Sequence, residues 1–129
     1  MLARARRNAA KSSITNVKFV ESPITSIDLP SSSADCIISN CVINLVPAQE
    51  KHLVFEEIFR LLKPRGRLAV SDILAKKKFP TDLQRDMSLY VGCISGASTV
   101  REYEKWLEDA GFKGALFLLA ILQIPGLFR

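Results

Sequence analysis

A thiol stands at Cys41, directly after the run Ala34-Asp35-Cys36-Ile37-Ile38-Ser39-Asn40. An apolar run that ends in small polar residues reads as a buried strand delivering those groups to its carboxyl end. In open α/β sheets, ligands bind along that edge. A cysteine there is unusual, because a reduced cysteine more often packs as a small buried hydrophobe. A second thiol, Cys93, follows 52 positions later within the glycine-containing stretch Gly92-Cys93-Ile94-Ser95-Gly96-Ala97. Cys36 lies inside the strand and is expected to face the core or a helix. The three cysteines form neither a C-x-x-C pair nor an even disulfide framework, and the basic opening residues lack a signal peptide's apolar run. A reducing cytoplasm is the expectation.

The 129 residues suit one domain with a modest core, since 48% are hydrophobic and 24% charged and no tract is of low complexity. The net charge of +5 comes from scattered groups such as Arg4, Arg6, Arg7, Lys11, Lys76, Lys77 and Lys78. No aromatic residues interleave with them, so solvated faces are expected and no nucleic acid. Ala115 to Ile124 is apolar but shorter than the roughly 20 residues that span a bilayer, so no membrane anchor is expected.

The elements that must position the thiols follow from periodicity. Met1 to Lys11, rich in alanine and arginine, reads as a helix. Val17 to Val20 alternates like a short strand, and Pro23 and Pro30 bracket a loop. Asp35 to Ser39 is nearly all apolar, as in a strand covered on both faces. A helix is expected from Pro47 to about Lys63, with Val54, Ile58, Leu61 and Leu62 as its buried stripe. Glu56 and Arg60, four apart, can pair on its exposed side. Leu68 to Leu74 reads as a further strand, and a helix follows Pro80 to about Tyr90. Thr99 and Glu102 have capping-box spacing for a helix ending at Gly111. Asp72 reads as a loop cap, His52 as a solvated residue and Trp106 as core. Alternating strands and helices indicate an α/β class with a mostly parallel sheet.

The segment Cys41-Val42-Ile43-Asn44-Leu45 with Val46-Pro47, the turn Leu61-Leu62-Lys63-Pro64-Arg65-Gly66 and the Gly92 to Ala97 loop together resemble the arsenite methyltransferases. These are class I enzymes that use S-adenosylmethionine. The Leu-Lys-Pro turn is common to the superfamily, with Arg65 standing for the first of its two glycines. The resemblance covers about residues 1 to 112. It implies a partial Rossmann-like sheet with the first two strands missing, because no G-x-G is present and the opening resembles the helix after the second strand. It further implies trivalent arsenic as substrate, held by Cys41 and Cys93. Asn40 corresponds to a position lining the cofactor's methionine side, and Ile24 and Thr25 to an aliphatic and a polar residue against the adenine. Ser22-Pro23 replaces an acid that precedes this pair in many relatives.

Arsenic(III) is soft and prefers thiolates. Its lone pair would attack a sulfonium methyl, which leaves the protein mainly the task of positioning. A thiol reductant such as thioredoxin or glutathione is the implied partner. The absent strands leave an edge that invites self-association, and Val17 to Val20 should either pair with Asp35 to Ser39 or lie loosely. Two alternatives remain: a quinone or sterol type methyltransferase, and a non-catalytic fragment binding arsenic or a partner.

Overall fold

The computed structural model describes residues 1–77 and 96–114. Helix α1 (Leu2–Lys11) opens the chain, and strand β1 (Ala34–Asn40) follows a long irregular stretch. Two short 3-10 turns, Ile43–Leu45 and Ala48–Glu50, lead into helix α2 (Lys51–Leu61). Strand β2 (Leu62–Ser71) and helix α3 (Val100–Ala110) complete the described elements. The expected helix after Pro80, Cys93 and the apolar run from Ala115 lie outside the described residues.

β1 and β2 pair in parallel, with Ile37 opposite Leu68, Ser39 opposite Val70 and Asn40 opposite Ser71. Side chains alternate between faces along each strand. Ile37, Leu68 and Val70 therefore point together and pack on a core of Ile43, Val46, Val54, Phe55, Ile58, Leu62 and Tyr103. Phe55 is wholly buried and anchors that core, edge-on to Tyr103 with centroids 5.2 Å apart and stacked on Trp106 at 5.9 Å. Helices α2 and α3 thus cover one face of the sheet.

The other face is open among the described residues, and this corrects two expectations. Asp35 to Ser39 was expected to be covered on both sides, yet Ile38 is 78% exposed. Cys36 was expected against the core or a helix, yet it shares the exposed face with Ile38. Both residues follow from register: the inward parity of β1 belongs to Ile37 and Ser39.

Val17 to Val20 forms no strand. β1 pairs only with β2 among the described residues, so its other edge is left unpaired and the segment takes the second of its two expected placements, outside the sheet. Its recorded tie is to α1, where Arg6 Nη2 lies 3.5 Å from the Phe19 carbonyl.

α2 begins and ends inside its expected limits of Pro47 and Lys63. Residues before Lys51 coil into the tighter 3-10 turns. At the other end, the carbonyls of Arg60 and Leu61 accept from the amides of Ser32 and Ser33 at 2.9 Å each. Leu62 already pairs with Ala34, and a bulge separates that pair from Cys36 opposite Arg67. β2 stops at Ser71, short of the expected Leu74. Beyond it the chain turns to other partners: Ile73 accepts from Asn44, and Ala75 bridges to Thr99. Thr99 and Glu102 do form the capping box of α3, which ends at Gly111 with φ +102°.

Candidate functional site

Cys41 leaves the carboxyl end of β1 exposed, with its own φ at +52°. Its amide donates to the Ser71 carbonyl at 2.8 Å, continuing the β1–β2 ladder by one bond. Asn40 is also exposed, beside Ser71 at the last paired position. The strand therefore delivers a carboxamide and a thiol in succession at the edge where ligands bind in such sheets.

Past the exposed Val42 the chain turns inward. Ile43 and Asn44 are both 0% exposed, and Asn44 Nδ2 donates to the Ile73 carbonyl at 2.7 Å. Asp72 lies between these two ties. Its Oδ2 accepts from the Tyr103 hydroxyl at 3.1 Å. Burial pushes the Asp72 carboxyl upward, while the Tyr103 hydroxyl, the nearby amides of Ile43 and Asn44 and the Lys51 ammonium pull it back. Its other oxygen, Oδ1, is buried without a hydrogen-bond partner among the described residues. Tyr103 is held well above the ordinary phenol range, first by burial and then by the Asp72 carboxylate.

Lys51 escaped sequence reasoning. At the first turn of α2 it is 2% exposed, and its Nζ donates to the Gly96 carbonyl and, at 2.9 Å, to Ser98 Oγ. Burial lowers its pKa, against the pull of Asp72 and Glu102. A lone lysine ahead of a helical stripe gives no signal of this in sequence. The bond joins α2 to the segment that follows Cys93.

The far end of α2 anchors the loop carrying Ile24 and Thr25. Glu57 Oε1 accepts from the Ile27 amide at 2.6 Å. Arg60 donates to the carbonyls of Leu29 and Ile27 at 3.0 and 3.1 Å and to Ser31 Oγ at 3.0 Å. Arg60 also pairs with Glu57, at 2.7 Å, where the sequence spacing pointed to Glu56. Glu56 is exposed, whereas Glu57 is buried and turned toward the loop. Ile24 is half-buried against the core and Thr25 is half-buried in the same turn. His52 is half-buried. Among the described residues no cluster of three or more His, Cys, Asp or Glu could hold a metal ion. No helix among them is long and apolar enough to cross a membrane.

Parallel strands with helices packed on the sheet, and with polar side chains at the strands' carboxyl ends, define a Rossmann-like α/β protein. The chain matches the family model described as "Methyltransferase domain" over residues 1–111, and it belongs to that family. It is similar to the arsenite methyltransferase of Halobacterium salinarum, 42% identical over 113 residues, which is 88% of this chain and 28% of that protein. The arsenite methyltransferase of Mus musculus is 40% identical over 100 residues, covering 75% of this chain and 26% of the mouse protein. The chain thus spans under a third of the length of these relatives. Among solved structures it resembles CrArsM, an arsenic(III) S-adenosylmethionine methyltransferase from Chlamydomonas reinhardtii. The TM-score is 0.69 at 29% identity, over 80% of this chain and 36% of that one. The YcgJ protein of Bacillus subtilis shares the fold, with TM-score 0.68 at 20% identity over 85% of this chain and 47% of that one.

Proposed function

We propose that the chain serves the methylation of trivalent arsenic by S-adenosylmethionine, with Cys41 and Cys93 as the arsenic ligands. The observation that carries this reading is the exposed Cys41 immediately beyond β1, in a chain whose named relatives include arsenite methyltransferases. Each thiol replaces one hydroxyl of arsenous acid: an S–As bond forms, an As–O bond breaks, and the thiol proton leaves in water. Arsenic stays trivalent in this exchange and keeps its lone pair.

The side chains present suit the cofactor at three positions. Asn40 offers an exposed carboxamide beside the thiol for the amino acid end. Ile24 and Thr25 offer an apolar flank and a hydroxyl for the purine. When bound, the cofactor supplies a methyl group on a sulfonium, the electrophile that a lone pair can take. Taking the methyl oxidises arsenic by two electrons, so a thiol reductant of the glutathione or thioredoxin kind returns it to the trivalent state. The edge of β1 left unpaired among the described residues gives the chain a place for self-association.

Calorimetric titration of the purified, reduced chain with S-adenosylmethionine and with arsenite tests the reading. Both ligands should bind, and Cys41→Ser should weaken arsenite binding about a hundredfold. Cofactor binding without arsenite binding would favour an organic acceptor of the quinone or sterol type. Arsenite binding without cofactor would reduce the chain to a binding role.

A further inference from the structure

Cys41 has a backbone conformation that side-chain-bearing residues rarely adopt, at a cost of about 1–2 kcal/mol. Something must hold it there. Three residues of the turn after β1, Cys41, Ile43 and Asn44, meet the successive residues Ser71, Asp72 and Ile73. The Cys41 amide is bonded to the Ser71 carbonyl at 2.8 Å. The amides of Ile43 and Asn44 lie near the Asp72 carboxylate. The Asn44 side chain is bonded to the Ile73 carbonyl at 2.7 Å. Asp72 is the residue between the two bonded carbonyls, and the Tyr103 hydroxyl fixes it from α3 at 3.1 Å, which holds Ser71 and Ile73 toward the turn. Tyr103 is itself 3% exposed and wedged against Phe55, so its hydroxyl has little freedom.

From this geometry we infer that Asp72, fixed by the Tyr103 hydroxyl, is a positioning residue that holds the Cys41 thiol outward for arsenic capture. The inference rests on the arsenic reading for its ligand and on the structure for the thiol's placement. Asp72 touches no reacting atom; it acts through the turn that carries Cys41. Thiol exchange on arsenic needs sulfur atoms at fixed separation, so a turn that wanders lowers affinity even when every thiol is present.

The test uses the full chain with Tyr103→Phe, which removes the hydroxyl and keeps the ring, and with Asp72→Ala and Asp72→Asn. Arsenite affinity is read by titration, alongside alkylation rates of Cys41 and Cys36 by iodoacetamide, resolved by mass spectrometry. Tyr103→Phe should weaken arsenite binding about tenfold, the worth of one hydrogen bond to a charged group. The Cys41 rate should change while the Cys36 rate stays constant, a ratio that general loosening of the fold would not shift. Asp72→Asn, which keeps an acceptor oxygen, should fall between wild type and Asp72→Ala. Unchanged affinity and an unchanged Cys41:Cys36 ratio in Tyr103→Phe would overturn the inference, as would equal changes at both thiols. If the unsubstituted chain binds no arsenite, the arsenic reading fails, and the Cys41:Cys36 ratio still decides whether Asp72 positions the thiol.

Discussion

Arg65 and Gly66 stand side by side in the bulged opening of β2, and both occupy positions that favour glycine. Arg65 is held at φ +68°, in the left-handed region that favours glycine. At Gly66 a Cβ would sit 2.8 Å from the Lys63 carbonyl oxygen, closer than real Cβ atoms approach. The segment therefore wants glycine at both positions and has it at one. Arg65→Gly removes the left-handed penalty and adds freedom to the unfolded chain, two effects that partly cancel. A net gain of about 0.5 kcal/mol is expected. Gly66→Ala should cost about 1–3 kcal/mol, because backbone must shift. Thermal denaturation of the two variants should move in opposite directions.

The Glu57–Arg60 pair makes the loop at Ile27–Ser31 sensitive to acid. Arg60's hydrogen bond lowers the Glu57 pKa, burial opposes it, and the Ile27 amide adds to the lowering. A carboxyl whose folded pKa lies below its unfolded value of 4.5 contributes stability above that value and loses it as pH falls through the folded one. Glu57→Gln should therefore destabilise the chain at neutral pH and flatten its loss of stability below about pH 4.5. The neutral-pH cost should be about 1 kcal/mol, because the half-exposed guanidinium remains screened by water. Denaturant midpoints between pH 3 and 7 would show it, and parallel curves for wild type and Glu57→Gln would refute it.

Sequence periodicity located β1, the stripe Val54, Ile58 and Leu61, and the capping box at Thr99 because each depends on residues near in the chain. It misassigned Val17 to Val20 because a strand needs a neighbour, and alternation says nothing of whether one exists. Helix spacing pairs Arg60 with Glu56, whereas in the fold Glu57 takes that place, tied also to the Ile27 amide thirty residues away. Cys36 was assigned inward because an apolar strand gives both parities the same look. Lys51 and Asp72 come within reach of each other's charge only through the packing of α2 and α3 against the end of β2. Cys41 itself was legible, since its place after a strand is a local fact.

The capping box of α3 should be worth about 1 kcal/mol. Thr99 Oγ1 accepts from the Glu102 amide at 3.3 Å, and the Glu102 carboxylate accepts from the Thr99 amide at 2.8 Å. Thr99→Ala leaves an amide of the first turn without its acceptor, at a cost of about 0.5–2 kcal/mol. Because α3 carries Tyr103 and Trp106 into the core, the loss should appear as a lower midpoint for the whole transition, followed by the fluorescence of Trp106, the chain's single tryptophan. A change confined to far-ultraviolet dichroism, with the tryptophan transition unmoved, would mean that α3 frays independently of the core.

The three thiols should differ in their effect on arsenic even though accessibility does not separate Cys36 from Cys41. Cys36 and Cys41 are both exposed, so alkylating agents will reach each. Only Cys41 stands past the strand's end; Cys36 sits mid-strand on the open face, paired opposite Arg67. Two thiols on one arsenic act as a chelate, and losing either arm removes the advantage of an intramolecular second bond, about a hundredfold in affinity. Cys41→Ser and Cys93→Ser should each weaken arsenite binding by that order, and the double substitution should weaken it little further than one bond's worth. Cys36→Ser should leave the dissociation constant within about twofold, a difference of under 0.5 kcal/mol. Titration of the four variants decides the matter: similar losses at all three cysteines would mean that arsenite is captured by whichever thiols are exposed, with no built site.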